Sequence, residues 1–246
     1  MYLKLDKLIK KYKIESSEIA YIGANLGQNI LEFNKLLGMP IIHLFEPQQK
    51  VFNKLKENFS NYSNLKFYNF ALGAEAGKSL MNVNINNSNQ SSSLLKPGAH
   101  TTFHKKVIFE GTEEINIEKF SNLNLSNVTL LNIDVQGFEL EVLKGCEDSL
   151  EKIKYIVCEV NRKEMYEDCA LVSDIDKYLK RFNFIRIETA WCQKTIPWGD
   201  ALYLKTSEIS FLQISKAKIL NYMQSLKGYF FIISIPKRLK KVFKLS

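Results

Sequence analysis

Residues 19–46 place a glycine-containing turn between two apolar segments and end in a carboxylate. The first apolar segment leads into a turn that contains Gly23 and Gly27, and a stretch with helical periodicity, 30–37, follows it. The second apolar segment ends at Glu46. Glycines let the backbone approach a ligand closely, and a carboxylate at the tip of the second strand can accept hydrogen bonds from both ribose hydroxyls. The segment therefore predicts a strand, turn, helix and strand that bind a nucleoside cofactor.

The polar residues of this turn distinguish between cofactors. Dinucleotide sites use a third glycine for packing of the helix against the strand, and the turn has none after Gly27. Asn25 and Asn29 offer neutral hydrogen-bonding groups, which suit a zwitterionic amino-acid tail better than a pyrophosphate. These residues favour S-adenosylmethionine. A nucleotide-dependent (NAD) oxidoreductase is the alternative.

Two further carboxylates follow apolar segments of strand length. Asp134 ends the segment 128–134 and Glu159 follows 155–158. Ligands of open α/β sheets bind outside the carboxyl ends of the strands. We expect both carboxylates in that crevice, with Asp134 as the first candidate for a general base and Glu159 as the second. Asp134 is also a candidate cofactor-binding residue, which would orient the ammonium group of the cofactor. The alternative for Asp134 is a cap on the next helix. A hard cation held by Asp134, Glu159 and Asn161 is a less favoured possibility, so no metal is predicted.

Strand-like and helix-like segments alternate along most of the chain, which predicts an α/β fold with a mostly parallel sheet and helices on both faces. A length of 246 residues fits one such domain with additions. The predicted boundaries are 1–205 for the domain, with a loop insertion at about 73–117, and 206–246 for a basic, helical C-terminal extension.

The insertion is rich in Gly, Asn and Ser over residues 73–100, where only one strand is expected, at 79–85, and 106–117 predicts a strand pair. Long loops in compact domains are often functional. We expect this one to contact the acceptor, with Ser91, Ser92, Ser93 and His100 as substrate-binding residues.

Several motifs occur together and in order. They are Gly23-Ala24-Asn25-x-Gly27-Gln28-Asn29, Phe45-Glu46-Pro47, Asn69-x-Ala71-Leu72-Gly73, Ser91-Ser92-Ser93-Leu94, and Ile133-Asp134-Val135-Gln136-Gly137-x-Glu139-x-x-Val142-Leu143-x-Gly145. Together they closely resemble the FkbM family of S-adenosylmethionine-dependent methyltransferases. The resemblance covers roughly residues 16–205.

The resemblance implies the class I methyltransferase fold, a Rossmann-like sheet of seven strands with the last antiparallel. It implies O-methylation of a small or glycan-type acceptor. It also implies cofactor-binding roles, which extend to Ala24 and Pro47 within the motifs. Gly23, Asn25 and Gly27 would line the methionine end, Glu46 would hold the ribose, and Asn69, Ala71 and Leu72 would lie beside the adenine.

The net charge of +8 is concentrated at the C-terminus. Residues 211–246 hold eight basic residues and no acidic one, so 1–210 is formally neutral and nucleic-acid binding is not expected. The apolar segment 228–235 is too short to span a bilayer, and a basic amphipathic segment follows it. Contact with an anionic membrane through 228–246 is one interpretation. Two other interpretations are that a terminal helix packs on the domain and that the apolar segment forms an oligomer contact.

The four cysteines show no CxxC pairing, and the first residues lack an apolar core of signal-peptide length. Both features predict a cytoplasmic protein, or one peripheral to the inner face of the membrane. A non-enzymatic, membrane-associated protein on a degenerate methyltransferase fold is a further alternative, against which Glu46 and Asp134 argue.

Overall fold

The computed structural model describes residues 3–86, 90–103, 106–192 and 197–225. The strands are β1 (Glu18–Ile22), β2 (Ile41–Phe45), β3 (Leu65–Tyr68), β4 (Ala71–Leu72), β5 (Gly77–Asn84), β6 (Phe109–Glu118), β7 (Leu130–Ile133), β8 (Tyr155–Asn161), β9 (Phe184–Trp191) and β10 (Trp198–Lys205). The helices are α1 (Leu5–Tyr12), α2 (Ile30–Leu37), α3 (Gln49–Asn58), α4 (His100–Phe103), α5 (Glu139–Gly145), α6 (Val172–Lys180) and α7 (Phe211–Ser225).

In the described residues, seven strands form the main sheet in the order β3-β2-β1-β7-β8-β10-β9. Neighbouring strands from β3 to β8 are parallel, whereas β10 is antiparallel to both β8 and β9. The central strands are mostly apolar because helices cover both faces of the sheet, and all four residues of β7 are buried. The predicted fold class, a Rossmann-like α/β fold with a seven-stranded, mostly parallel sheet, is confirmed.

The alternation of side chains along each strand divides the core in two. In β1, Ile19 and Tyr21 face the cluster that includes α1 and α2, whereas Ala20 and Ile22 face the cluster that includes α5 and α6. Each layer of helices therefore buries one face of the same strands, and the carboxyl ends of β1, β2, β7 and β8 meet at one edge.

A second, three-stranded sheet forms from the insertion, in the order β4-β6-β5. β5 pairs antiparallel with β6, and β4 pairs parallel with it. The strand expected at 79–85 is confirmed as β5, which extends over 77–84. The segment predicted as loop therefore carries a sheet that stands beside the carboxyl edge of the main one.

The strand pair predicted over 106–117 is wrong, since β6 is one strand. Gly111 has a φ of +75°, which suits a turn, but the chain continues through it. Asn82 pairs with Thr112 and Asn84 with Phe109, so β6 contains one residue more than β5 between these positions. This is a β-bulge, and the glycine supplies its left-handed conformation.

The helix α7 packs against the edge strand β9. Asn221 donates its Nδ2 hydrogen to the carbonyl of Arg186 at 3.0 Å, and Ala217 is buried in the core. No described helix combines the length and apolar character needed to cross a membrane. The boundary predicted at 205/206 stays a prediction, and the segment 228–246 lies outside the described residues.

Candidate functional site

A cavity of about 340 Å³ opens where the carboxyl edge of the main sheet meets the insertion. Its walls come from the turns after β1, β2, β7 and β8 and from the insertion. The predicted site residues that line it are Gly23, Asn25, Asn29, Glu46, Pro47, Ala71, Leu72, Ser91, Ser92, Asp134 and Glu159. Residues far apart in sequence thus converge on one concave site.

Four predicted site residues support the cavity from behind its wall, and the side chain of a fifth, His100, lies outside the described residues. Ala24 is buried in the core. Asn69 donates both Nδ2 hydrogens to the carbonyls of Glu46 and Pro47, each at 3.0 Å, and so holds the turn after β2. Ser93 donates its hydroxyl to the carbonyl of Gln136 at 2.7 Å, which ties the insertion to the turn after β7.

Gly27, the fourth of these residues, packs against the core. A Cβ at this position would lie 2.5 Å from Phe59 Cε2 and 2.6 Å from Ile30 Cδ1, and the φ is +82°. The glycine therefore allows the close helix packing for which dinucleotide sites use a third glycine. A missing third glycine does not by itself exclude a dinucleotide here.

Gly23 is required by a contact between two turns. A Cβ would lie 1.9 Å from the carbonyl oxygen of Asp134, and the φ is +79°. The ends of β1 and β7 therefore approach each other more closely than a side chain at position 23 would allow. That approach places the backbone of the glycine turn directly beside Asp134.

Glu46 binds the backbone of the glycine turn. Its Oε2 accepts the N–H of Asn25 at 3.0 Å, and its Oε1 accepts the N–H of Gln48 at 2.9 Å. The side chain is 5% exposed, and burial raises its pKa to about 7 although the two N–H groups lower it in part. Each oxygen keeps a second lone pair, so the ionised carboxylate can accept two more hydrogen bonds from a ligand.

Asp134 and Glu159 share one hydrogen-bond donor. Gln136 Nε2 lies 2.8 Å from Asp134 Oδ1 and 3.1 Å from Glu159 Oε2. Burial and then the charge of Asp134 raise the pKa of Glu159 well above its ordinary value. Desolvation by the surrounding protein also raises the pKa of Asp134, although that residue is exposed to solvent. Two such carboxyl groups titrate as a pair, and the surroundings favour the protonated form of Glu159 more strongly than that of Asp134.

The alternative of a helix cap at Asp134 is wrong, since α5 begins five residues later with Phe138 at its N-cap. Glu139 holds the turn instead. Its Oε1 accepts the N–H groups of Val135 at 3.1 Å and Gly137 at 3.0 Å. Burial raises the pKa of Glu139 to about 7. This carboxyl group thus fixes the backbone that carries Asp134 and Gln136.

The sequence did not single out Gln136 or Tyr166 as functional. Gln136 has a φ of +57°, and the Tyr166 hydroxyl lies 2.9 Å from its Oε1. The sequence around either residue does not predict this contact, because it joins positions 30 residues apart.

The sequence indicates Asn161 only as a possible ligand of a cation. It lines the cavity, is 1% exposed, and neither its Oδ1 nor its Nδ2 has a hydrogen-bond partner among the described residues. A buried polar group without a partner costs about 1–3 kcal/mol. Its position two residues after Glu159, on the same face of β8, is the signal that could have found it. Among the described residues, no cluster of three or more His, Cys, Asp and Glu side chains is arranged to hold a metal.

The apolar walls come from aromatic residues on both sides of the sheet edge. Phe138 and Trp198 line the cavity. Trp191 stacks on the Arg162 guanidinium, whose Cζ lies 3.7 Å from the centroid of the Trp191 ring. The lining of the site thus combines polar groups with aromatic surface.

Known proteins resemble this chain in sequence and in fold. It is 24% identical over 159 residues to the 2-O-methyltransferase NoeI of Sinorhizobium fredii (strain NBRC 101917 / NGR234), and the match covers 59% of this chain and 64% of that protein. The match thus spans less than two thirds of that relative. The structure of a methyltransferase FkbM from Methylobacillus flagellatus KT superposes with a TM-score of 0.54 at 13% identity, over 78% of this chain and 44% of that one. The model of the methyltransferase FkbM domain matches residues 22–186. The cavity, its carboxylates and its glycine turn lie within or directly beside that match, and the chain belongs to the family of methyltransferase FkbM domains.

Proposed function

We propose that this protein is an S-adenosylmethionine-dependent O-methyltransferase that acts on a hydroxyl of a small or glycan-type acceptor. The observation that carries the proposal is the arrangement of one cavity, with Glu46 at one end and the pair Asp134 and Glu159 at the other. Membership of the methyltransferase family and the printed name of the relative, a 2-O-methyltransferase, support it.

The cofactor end fits a nucleoside with an amino-acid tail. The lone pairs that Glu46 keeps can accept the two ribose hydroxyls. Asn29, which donates to the Tyr21 hydroxyl at 3.2 Å, lies on the methionine side. Ala71 and Leu72 supply an apolar surface beside the adenine. S-adenosylmethionine, when bound, would supply an electrophilic methyl group.

The chain's own residues then position the acceptor and take up its proton. The carboxylate of Asp134 would accept the hydroxyl hydrogen while the acceptor oxygen forms its bond to the methyl carbon and the bond from that carbon to the sulfonium sulfur breaks, which leaves S-adenosylhomocysteine. The Gln136 amide, which also donates to Glu159, holds that carboxylate in place. Ser91 and Ser92, in the insertion, face the acceptor side of the cavity. Catalysis in this site rests mainly on positioning, since the methyl group needs no further activation.

Ligand binding and methyl transfer together test the proposal. We expect S-adenosylhomocysteine to raise the melting temperature and NAD to leave it unchanged. Wild type should also transfer a radiolabelled methyl group from S-adenosylmethionine to at least one member of a panel of methyl glycosides and small alcohols. A thermal shift with NAD alone would support the oxidoreductase, and the absence of any S-adenosylhomocysteine binding would leave the non-enzymatic alternative.

The proposed location is the cytoplasm, at or near an anionic membrane surface. All four cysteines are free, and Cys146, Cys158 and Cys169 are buried, as expected in a reducing compartment. The membrane contact rests on the basic composition of 228–246.

A further inference from the structure

The side-chain amide of Asn161 lies at the acceptor end of the cavity. Strands of a sheet are about 4.8 Å apart, so β8 lies about 14 Å along the sheet from β2 and Glu46, beyond β1 and β7. The ribose end and Asn161 therefore contact different parts of a bound pair of substrates. Glu159 and Asn161 point into the same space because they are two residues apart on one strand.

The unpartnered amide indicates the chemistry of its ligand. Oδ1 accepts and Nδ2 donates hydrogen bonds, and neither finds a partner among the described residues. A hydroxyl group can both donate a hydrogen bond to Oδ1 and accept one from Nδ2. Two residues that are two positions apart on a strand, such as Glu159 and Asn161, have Cα atoms about 7 Å apart. That spacing suits one ring with neighbouring hydroxyls, one directed at the carboxylate pair and the next at Asn161.

The residue opposite Asn161 provides a flat surface for such a ring. Trp198 pairs with Asn161 across β8 and β10, so their side chains leave the same face of the sheet. The indole is half-buried and lines the cavity. An aromatic surface beside a buried polar group fits a pyranose, which has an apolar C–H face and a polar rim.

We propose that Asn161 binds the acceptor hydroxyl adjacent to the one that is methylated, so that the enzyme selects a vicinal diol of a sugar ring. The proposal rests on the proposed function. Asn161 would be a specificity-determining residue, and a site with a buried amide should reject an acceptor that lacks the second hydroxyl, because the amide then stays unpaired.

The experiment compares a methyl hexopyranoside with its monodeoxy analogue. The parent is the glycoside in the panel with the highest kcat/KM, and the analogue lacks a hydroxyl adjacent to the methylated one. For wild type we expect kcat/KM to fall at least 30-fold from parent to analogue. In Asn161→Ala, kcat/KM for the parent should fall by a similar factor, with less than a threefold further loss for the analogue.

Two variants separate recognition from folding. Asn161→Leu keeps the branched shape and the number of heavy atoms of the side chain but removes its polar groups, and it should behave as Asn161→Ala does. Asn34 is also a buried asparagine, in α2 away from the cavity, whose Nδ2 has no partner among the described residues. Asn34→Ala should lower the melting temperature and keep the 30-fold discrimination.

The outcomes distinguish this proposal from the proposed function. Calorimetry should give the same S-adenosylhomocysteine affinity for wild type and Asn161→Ala within threefold. A tenfold loss would assign Asn161 to the cofactor and overturn the proposal, as would discrimination that survives in Asn161→Ala. If wild type binds S-adenosylhomocysteine and methylates no glycoside, the diol proposal falls while the cofactor assignment stands. If wild type does not bind it, the proposed function itself falls.

Discussion

The hydroxyl of Tyr166 lies 2.9 Å from Oε1 of Gln136, and this contact determines which end of the Gln136 amide faces the carboxylates. The single hydrogen of this hydroxyl is shared between Oε1 and the carbonyl oxygen of Ser91, which lies 3.1 Å away. With Oε1 held in this way, Nε2 is directed at Asp134 and Glu159. A residue outside the predicted set thus orients the centre of the site.

We expect Tyr166→Phe to lower kcat about tenfold and to leave the affinity for S-adenosylhomocysteine unchanged. The ring keeps its packing, but the Gln136 amide loses the hydrogen bond that orients it, which is worth about 1 kcal/mol. Because the Gln136 hydrogen bond lowers the pKa of both carboxyl groups, its loss should move the acid limb of the kcat–pH profile to higher pH. Tyr178→Phe, whose hydroxyl lies 3.4 Å from its partners and away from the cavity, is the control. An unchanged profile would remove Tyr166 from the site.

Asp134→Asn should cost at least about 100-fold in kcat, the usual range for a general base, whereas Glu159→Gln should cost less than about tenfold. The reason is that the surroundings raise the pKa of Glu159 well above its ordinary value and so favour its protonated form, which glutamine resembles. Single-turnover methyl transfer measures both, with the exposed Asp148→Asn as the control. The reverse order of effects would make Glu159 the base.

The raised pKa of Glu46 predicts that the cofactor-free protein loses stability as pH rises. The pKa is about 7 in the folded protein and 4.5 ordinarily, so between these values the folded state binds more protons than the unfolded state. This contribution is complete below about pH 4.5 and is lost as pH rises through 7. Urea unfolding at pH 5 and 7.5 should give a smaller difference for Glu46→Gln than for wild type. The exposed Glu57→Gln should keep the wild-type difference, and a Glu46→Gln protein that also keeps it would contradict the assignment.

Gly23→Ala should lower the free energy of unfolding by at least about 3 kcal/mol. The new Cβ meets the Asp134 carbonyl, and a non-glycine residue at positive φ costs about 1–2 kcal/mol more. Gly111→Ala is a matched control, since its φ of +75° is similar and nothing lies within 4 Å of its Cβ. It should lose only about 1–2 kcal/mol. Equal losses in urea unfolding would mean that the close approach to Asp134 carries no cost.

Deletion of 228–246 should release the protein from anionic liposomes. The segment holds five basic residues, and each gains about 1 kcal/mol near an anionic surface. Flotation with phosphatidylserine vesicles measures the effect, and neutral phosphatidylcholine vesicles are the control. S-adenosylhomocysteine affinity should not change. Equal flotation of the full and shortened chains would exclude this membrane contact.

The sequence predicts the main sheet and the ends of its strands because these follow from local periodicity. Asp134 and Glu159 were found in this way, each directly after an apolar segment. The contacts among Gln136, Tyr166 and Ser93 could not be found, since they join separate turns whose spacing depends on the folded sheet. The bulge at Gly111 was missed for a similar reason, because a glycine at positive φ serves a turn and a bulge equally well.

The insertion leaves and rejoins the body of the protein at adjacent points, since Ala71 pairs with Ile117 and Leu72 with Glu118 in the β4–β6 ladder. A segment with neighbouring ends can be exchanged for another without moving the rest of the chain. Relatives could therefore diverge in the compound they modify by replacing this one unit, while β1, β2 and β7 are retained. A chimaera that receives the corresponding unit from a relative would be a direct route to enzymes with altered selectivity.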